Sequence, residues 1–155
     1  MKQKKVRLFI GLATILLVYG IDQLVKYIVT DQMELGSSME IVGPFHLTYV
    51  QNTGAAFSLF AGNPAVLAVF SGLALIVIVF FMYKFSVGQP GLPFALAILA
   101  GGATGNLVDR IFRGYVVDYL DVGFWPVFNL ADVAIVLSCA GLVFLTWKKE
   151  KSRSG

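Results

Sequence analysis

Asp118 and Asp132 are the residues best placed to do chemistry, because each sits where a long apolar run meets a polar one, with thirteen residues between them. A carboxylate beside hydrocarbon is costly unless it is paired, hydrated or protonated, so ionisable groups at such places are candidates for function. Thirteen residues allow the chain to turn back and bring the two carboxyls together, without requiring it. Asn129, three places before Asp132, also reads as a helix N-cap followed by an acid in the first turn, and this structural reading stands beside the catalytic one. If the carboxyls meet in a partly dry site, like-charge repulsion keeps both from ionising. One proton is then shared, leaving a base to activate water and an acid to protonate a leaving amine. That is the chemistry of aspartyl peptide hydrolysis.

Rival chemistries are poorly supplied. His46 is the only histidine, no Gly-x-Ser-x-Gly turn is present, and the lone cysteine, Cys139, lies inside an apolar run where buried packing is expected. Zinc lacks nitrogen and sulfur ligands, no cofactor motif occurs, and the expectation is that no metal is used. Asp118, Asp121 and Asp132 as ligands of a hard cation rank below the dyad. Other polar residues stand out on apolar helices. Asn106, Asp109, Arg110 and Arg113 fall on one arc of about 100°, a single stripe that must face protein or water. Arg110 suits either an acid partner or a substrate carbonyl or phosphate. Gly101 and Gly105 form a small-xxx-small pair suited to helix packing. Asp22 and Lys26 share a helix face at i,i+4, either as a mutually neutralising pair or as substrate-positioning groups.

The elements that must position these groups are membrane spans. Of 155 residues, 57% are hydrophobic and only 14% charged, against roughly 25% charged in soluble domains, and the mean hydropathy is +0.79. The basic pI of 9.1 does not indicate nucleic-acid binding, because the lysines and arginines lie mostly at the ends of apolar runs. Four runs approach the roughly 20 residues needed to cross the bilayer, at 6–29, 64–83, 92–111 and 127–147. The first follows Lys2, Lys4, Lys5 and Arg7 like a signal peptide, but lacks a small-x-small cleavage pattern, so it is expected to remain as a span. Basic residues gather at both termini and at Lys84, which by the positive-inside rule places the termini in the cytoplasm and the aspartates outside. Between spans one and two, the segment 30–63 contains Phe45, Leu47 and Tyr49 alternating with His46 and Thr48 after Gly43-Pro44, a short strand expected in a small sheet resting on the outer membrane face. The connector from Phe85 to Gly91 is a plain turn-rich link. The expected architecture is a single all-α integral membrane domain over 1–155, with four transmembrane helices and a small extracytoplasmic β element.

Five motifs occur in order along these spans: Asp22-Gln23-x-x-Lys26, Asn52-Thr53-Gly54-Ala55-Ala56-Phe57, Gly105-Asn106-x-x-Asp109-Arg110, Val117-Asp118 and Phe128-Asn129-x-Ala131-Asp132. Together they resemble lipoprotein signal peptidase, the bacterial signal peptidase II, over nearly the whole chain. The resemblance implies an aspartyl endopeptidase of the bacterial cytoplasmic membrane that removes signal peptides from diacylglyceryl-modified prolipoproteins; separately, a monomer that needs no cofactor is expected. Carried over by motif position, Asp118 and Asp132 would be the catalytic pair. Asn52, Gly54, Asn106, Arg110 and Asn129 would line the site, and Asp22 and Lys26 would support it. One departure from the family pattern is a short stretch between the aspartates, Tyr119 to Ala131, which bears on the shape of the loop above the site. Two readings from other classes remain: a small proton-coupled transporter using the charged residues as a path, and a non-catalytic assembly factor whose ion pairs are structural.

Overall fold

Apolar runs too long for a globular core become four long helices in the computed structural model, which describes residues 2–54, 63–85 and 91–154. They are α1 (Lys2–Gln32), α2 (Pro64–Lys84), α3 (Gly91–Phe112) and α4 (Leu130–Ser154), and each is long and apolar enough to cross a membrane. At about 1.5 Å per residue the 31 residues of α1 run about 46 Å, longer than the roughly 30 Å of hydrocarbon, so its charged ends reach beyond the hydrocarbon. The motif residues Ala55, Ala56 and Phe57, and residues 86–90 of the connector, lie outside the described residues.

The helices are arranged around α3, which packs against all three others. Half of its apolar window is buried, against 11% in each other span, whose large side chains such as Phe9, Leu17, Ile76, Phe80, Leu137 and Phe144 face outward as a lipid-facing belt. Small residues make α3 fit. A Cβ on Gly101 would come 2.7 Å from Val18 Cβ, and one on Gly105 would fall on the Asp22 carboxylate, so both glycines serve the approach of α1. Gly102 faces the other way, where a Cβ would meet the Ala131 carbonyl oxygen of α4 at 2.6 Å. Lys4 Nζ lies 3.7 Å from the Tyr83 ring centroid, which sets the start of α1 beside the end of α2.

Three strands close the opposite end. β1 (Ser38–Val42), β2 (Phe45–Asn52) and β3 (Val116–Asp121) form an antiparallel sheet in the order β1-β2-β3. The expected strand at Phe45 to Tyr49 is present within a small sheet and runs on to Asn52, while its partners, β1 and β3, carry no strand signal of their own in the sequence reading. Val116 to Tyr119 are all buried, so β3 lacks the apolar-polar alternation that marks a half-exposed strand. Gly114, at φ +79°, turns the chain out of α3 into β3 in a conformation that costs other residues strain. Val29, Tyr49, Val117 and Tyr119 pack together and seat the sheet on the end of α1.

Two details correct the sequence expectation. The fourth helix begins at Leu130 rather than Val127, because Phe128 is held as an isolated bridge to Leu120 and Asn129 is the cap. Cys139 is exposed on the apolar surface of α4 rather than packed inside, since in a membrane an apolar helix face meets lipid by default.

The packing of α3 gives a contrast. Gly102→Ala must push against backbone of α4 and is expected to destabilise the protein by about 1–3 kcal/mol. Gly20→Ala, in α1 with open space around it, is expected to be neutral or stabilising by up to about 1 kcal/mol. Thermal unfolding in detergent checks both, and equal shifts would contradict this account of the α3–α4 contact.

Candidate active site

The strand pairing places the first carboxylate. Asn52 lies opposite Val116, two residues from Asp118 and therefore on the same face of the sheet. Its Nδ2 donates to Asp118 Oδ2 at 2.8 Å, while its Oδ1 accepts the Gly54 N–H at 2.9 Å. Gly54 thus fixes which end of the Asn52 amide faces the acid. Asp118 is 2% exposed, and its other oxygen accepts from Asn129 Nδ2 at 2.6 Å. Burial is the main force raising its carboxyl to about 6, opposed by the Asn52 hydrogen bond and reinforced by the negative charge of Asp132.

Helix capping places the second. Asn129 Oδ1 accepts the Asp132 N–H at 3.0 Å, and Asp132 Oδ2 accepts the Asn129 N–H at 3.2 Å, a reciprocal capping box. The cap expected from sequence is therefore real, and it does not take Asp132 away from the site. Asp132 Oδ1 accepts from Asn106 Nδ2 at 2.8 Å, and Asn106 Oδ1 accepts from Asn129 Nδ2 at 3.2 Å and from Lys26 Nζ at 2.9 Å. Two asparagine amides therefore link the carboxylates that sequence spacing merely permitted to meet. Both line one cleft of about 550 Å³, whose walls include Val50, Trp125, Ile135 and Val136.

Around this pair lie the remaining residues of the motifs. Arg110 reaches the Asn106 and Gly54 carbonyl oxygens, each at 3.4 Å, and its guanidinium lines the cleft within the field of both aspartates. Asp22 and Lys26 pair at 2.9 Å with neither exposed, as the neutralising-pair reading expected. Asp109, seen from sequence only as part of a stripe, proves to be a second partner of Lys26 at 2.8 Å and also binds Arg113 at 3.3 Å. Gln23, in sequence only a motif member without a role, and Tyr119, with no sequence signal, also join the cluster. Gln23 Nε2 reaches the Asp22 and Asp109 carboxylates, and Tyr119 Oη accepts the Leu130 N–H at 3.2 Å. Asp121 is turned away from the pair, bound to Thr48 Oγ1 at 2.9 Å and to the Gly123 N–H at 2.8 Å, so the three-aspartate cation set does not assemble. Among the described residues no group of three or more metal-ligating side chains forms. Among the described residues the buried charged groups, Asp22, Lys26, Asp109 and Asp118, gather at one end of the bundle, and the other end of α3 is lined by leucine and alanine.

A family model described as signal peptidase (SPase) II matches residues 14–148. A lipoprotein signal peptidase of Moorella thermoacetica is 46% identical over 134 residues, spanning 86% of this chain and 87% of its own. One from Halothermothrix orenii is 42% identical over 138 residues, spanning 88% and 94%. A solved structure described as a bacterial membrane enzyme, determined by the in meso method, superposes with a TM-score of 0.82 at 29% identity and covers 94% of this chain and 91% of its own. The match starts in α1 and ends in α4, taking in every element that carries the two aspartates and their partners, and the chain belongs to the signal peptidase II family of membrane peptidases.

Proposed function

We propose that this protein removes the signal peptide from diacylglyceryl-modified prolipoproteins, using Asp118 and Asp132 as an aspartyl dyad at the outer face of the bacterial cytoplasmic membrane. The observation that carries the dyad is the pair of carboxylates in one cleft, linked by the amides of Asn106 and Asn129. The local charge count supports one shared proton. Four carboxyls, Asp22, Asp109, Asp118 and Asp132, face three cations, Lys26, Arg110 and Arg113, so a single proton on the dyad makes the cluster neutral. The names of the relatives, lipoprotein signal peptidases, support the substrate class.

In this mechanism the ionised member takes a proton from water as the water oxygen attacks the scissile carbonyl carbon. The protonated member gives its proton to the carbonyl oxygen, forming a neutral tetrahedral diol. On collapse, the first aspartic acid protonates the leaving nitrogen as the C–N bond breaks, and the second recovers a proton from the diol. Arg110 offers donors at the cleft wall for a backbone carbonyl of the substrate. The apolar side of the cleft, with Val50, Val116, Ile135 and Val136, suits the hydrocarbon of a substrate confined to the bilayer. Lys2, Lys4, Lys5, Lys84, Lys148, Lys149 and Lys151 lie at the far end of the bundle, which supports cytoplasmic termini and an outward-facing site.

The first test is cleavage of a diacylglyceryl-modified prolipoprotein by the purified protein in detergent. Asp118→Asn and Asp132→Asn are each expected to lower kcat by about 1,000-fold or more with the protein still folded. A folded variant that cuts at the wild-type rate overturns the dyad.

The second test is the pH dependence of kcat/KM, which reports the free enzyme. A singly protonated pair is active, so the profile is expected to be a bell. Raised to about 6, the Asp118 carboxyl loses the shared proton as pH climbs through that value, which defines the alkaline limb. A flat profile from acid to neutral pH contradicts the coupled pair.

A further inference from the structure

Lys26 has no exposed surface, and its ammonium makes three bonds: to Asp22 Oδ2 at 2.9 Å, to Asp109 Oδ2 at 2.8 Å and to Asn106 Oδ1 at 2.9 Å. All three of its donors are thereby used. What the two carboxylates do with their remaining capacity is specific. Asp22 Oδ1 accepts the N–H of Ala131, the residue immediately before Asp132, at 3.0 Å. Asp109 Oδ2 accepts the N–H of Val117, the residue immediately before Asp118, at 3.3 Å. The third partner, Asn106, must turn its oxygen to a group that only donates, and this leaves its Nδ2 for Asp132.

We propose that Asp22, Lys26 and Asp109 form a clamp that sets the separation of Asp118 and Asp132, each carboxylate holding the backbone beside one aspartate and the lysine tying the two carboxylates together. They are positioning residues, and Asp109 belongs with them although it touches neither aspartate side chain. The proposal rests on the dyad reading. A surface ion pair would make a soft clamp, but here every member is fully buried, so loosening one contact strands a bare charge away from water. Gly105 completes the arrangement, because any side chain there would occupy the position of the Asp22 carboxylate. The clamp joins α1, α3, β3 and α4, and no two of the elements carrying the dyad can shift without breaking it.

The experiment compares Lys26→Met and Asp22→Asn with the wild type and with Asp118→Asn, all as full-length protein in detergent, on a diacylglyceryl-modified prolipoprotein. Folding is followed by thermal unfolding. Lys26→Met is expected to lower kcat by about 100-fold, the scale of an ångström-level misplacement, with KM unchanged within about twofold. Asp22→Asn, which can satisfy Ala131 or Lys26 but not both, is expected to lose about tenfold with the same split. The groups facing the dyad are Asp22 and Lys26 from α1, Asp109 and Arg110 from α3, and Tyr119 from β3. Removing Lys26, one of the two cations among them, moves the whole bell of Lys26→Met to higher pH. The proposal is overturned by a folded Lys26→Met or Asp22→Asn with wild-type kcat, by a loss carried in KM, or by an unshifted bell. If Lys26→Met does not fold, Asp22→Asn, which keeps Lys26 paired with Asp109, decides on the kcat and KM split alone. Activity retained in Asp118→Asn removes the dyad itself, whereas an inactive Asp118→Asn beside fully active clamp variants removes only the clamp.

Discussion

An ammonium with no access to water, held among helices that lipid surrounds, has to be neutralised by groups in direct contact with it. At Lys26 that requirement organises one end of the molecule. Two carboxylates and an amide oxygen surround the nitrogen, and each comes from α1 or from α3, the helix packed closely against all the others. Since α3 must come close enough to α1 for these bonds, the contact surface on α3 is glycine at 101 and 105. The apolar belt holds the protein in the membrane, but it does not select one arrangement of helices, because lipid tails are as good a neighbour as leucine. The directional bonds of the charge cluster supply that selection.

From this cluster outward, the orientation of each polar side chain is dictated by a neighbour that can bond in only one way. Lys26 only donates, so Asn106 turns its oxygen inward and its NH₂ to Asp132. The Gly54 backbone N–H only donates, so Asn52 likewise presents its NH₂ to Asp118. Amide groups that are free to flip in solution are thereby given one orientation, and each faces a carboxylate with donors. Such orientation, fixed before substrate arrives, is the condition under which hydrogen bonds assist a reaction without reorganising during it.

How much of this was legible in the sequence follows from the range of each interaction. Spans declare themselves through runs of about 20 apolar residues, and the i,i+4 pairing of Asp22 with Lys26 is local enough to read. Asp109 was visible as a stripe member but not as the partner of Lys26, because that contact joins α1 to α3 across more than eighty residues. β3 was hidden because Val116 to Tyr119 are buried on both faces and show no period. The place of Cys139 is not legible because an apolar neighbourhood means a core in water but a lipid-facing surface in a membrane. For Asp132, cap and catalyst read as alternatives in the sequence, yet a carboxylate has two oxygens. One closes the helix while the other lies toward the cleft and Asn106.

That double engagement of Asp132 bears on how the protein would escape an inhibitor lodged in its cleft. A substitution that weakened the inhibitor's hold on this side chain would also undo the reciprocal cap, at a cost of about 1 kcal/mol, and would release Asn129, whose amide bridges to Asp118. Under the proposed dyad, resistance by change at the centre is therefore penalised twice, once in chemistry and once in folding. The substitutions left open are at the rim, where Val50, Trp125, Ile135 and Val136 line the cleft without carrying any of the amide bonds between the aspartates. Compounds that draw their affinity from the polar centre rather than from that rim leave the protein the fewest routes of escape.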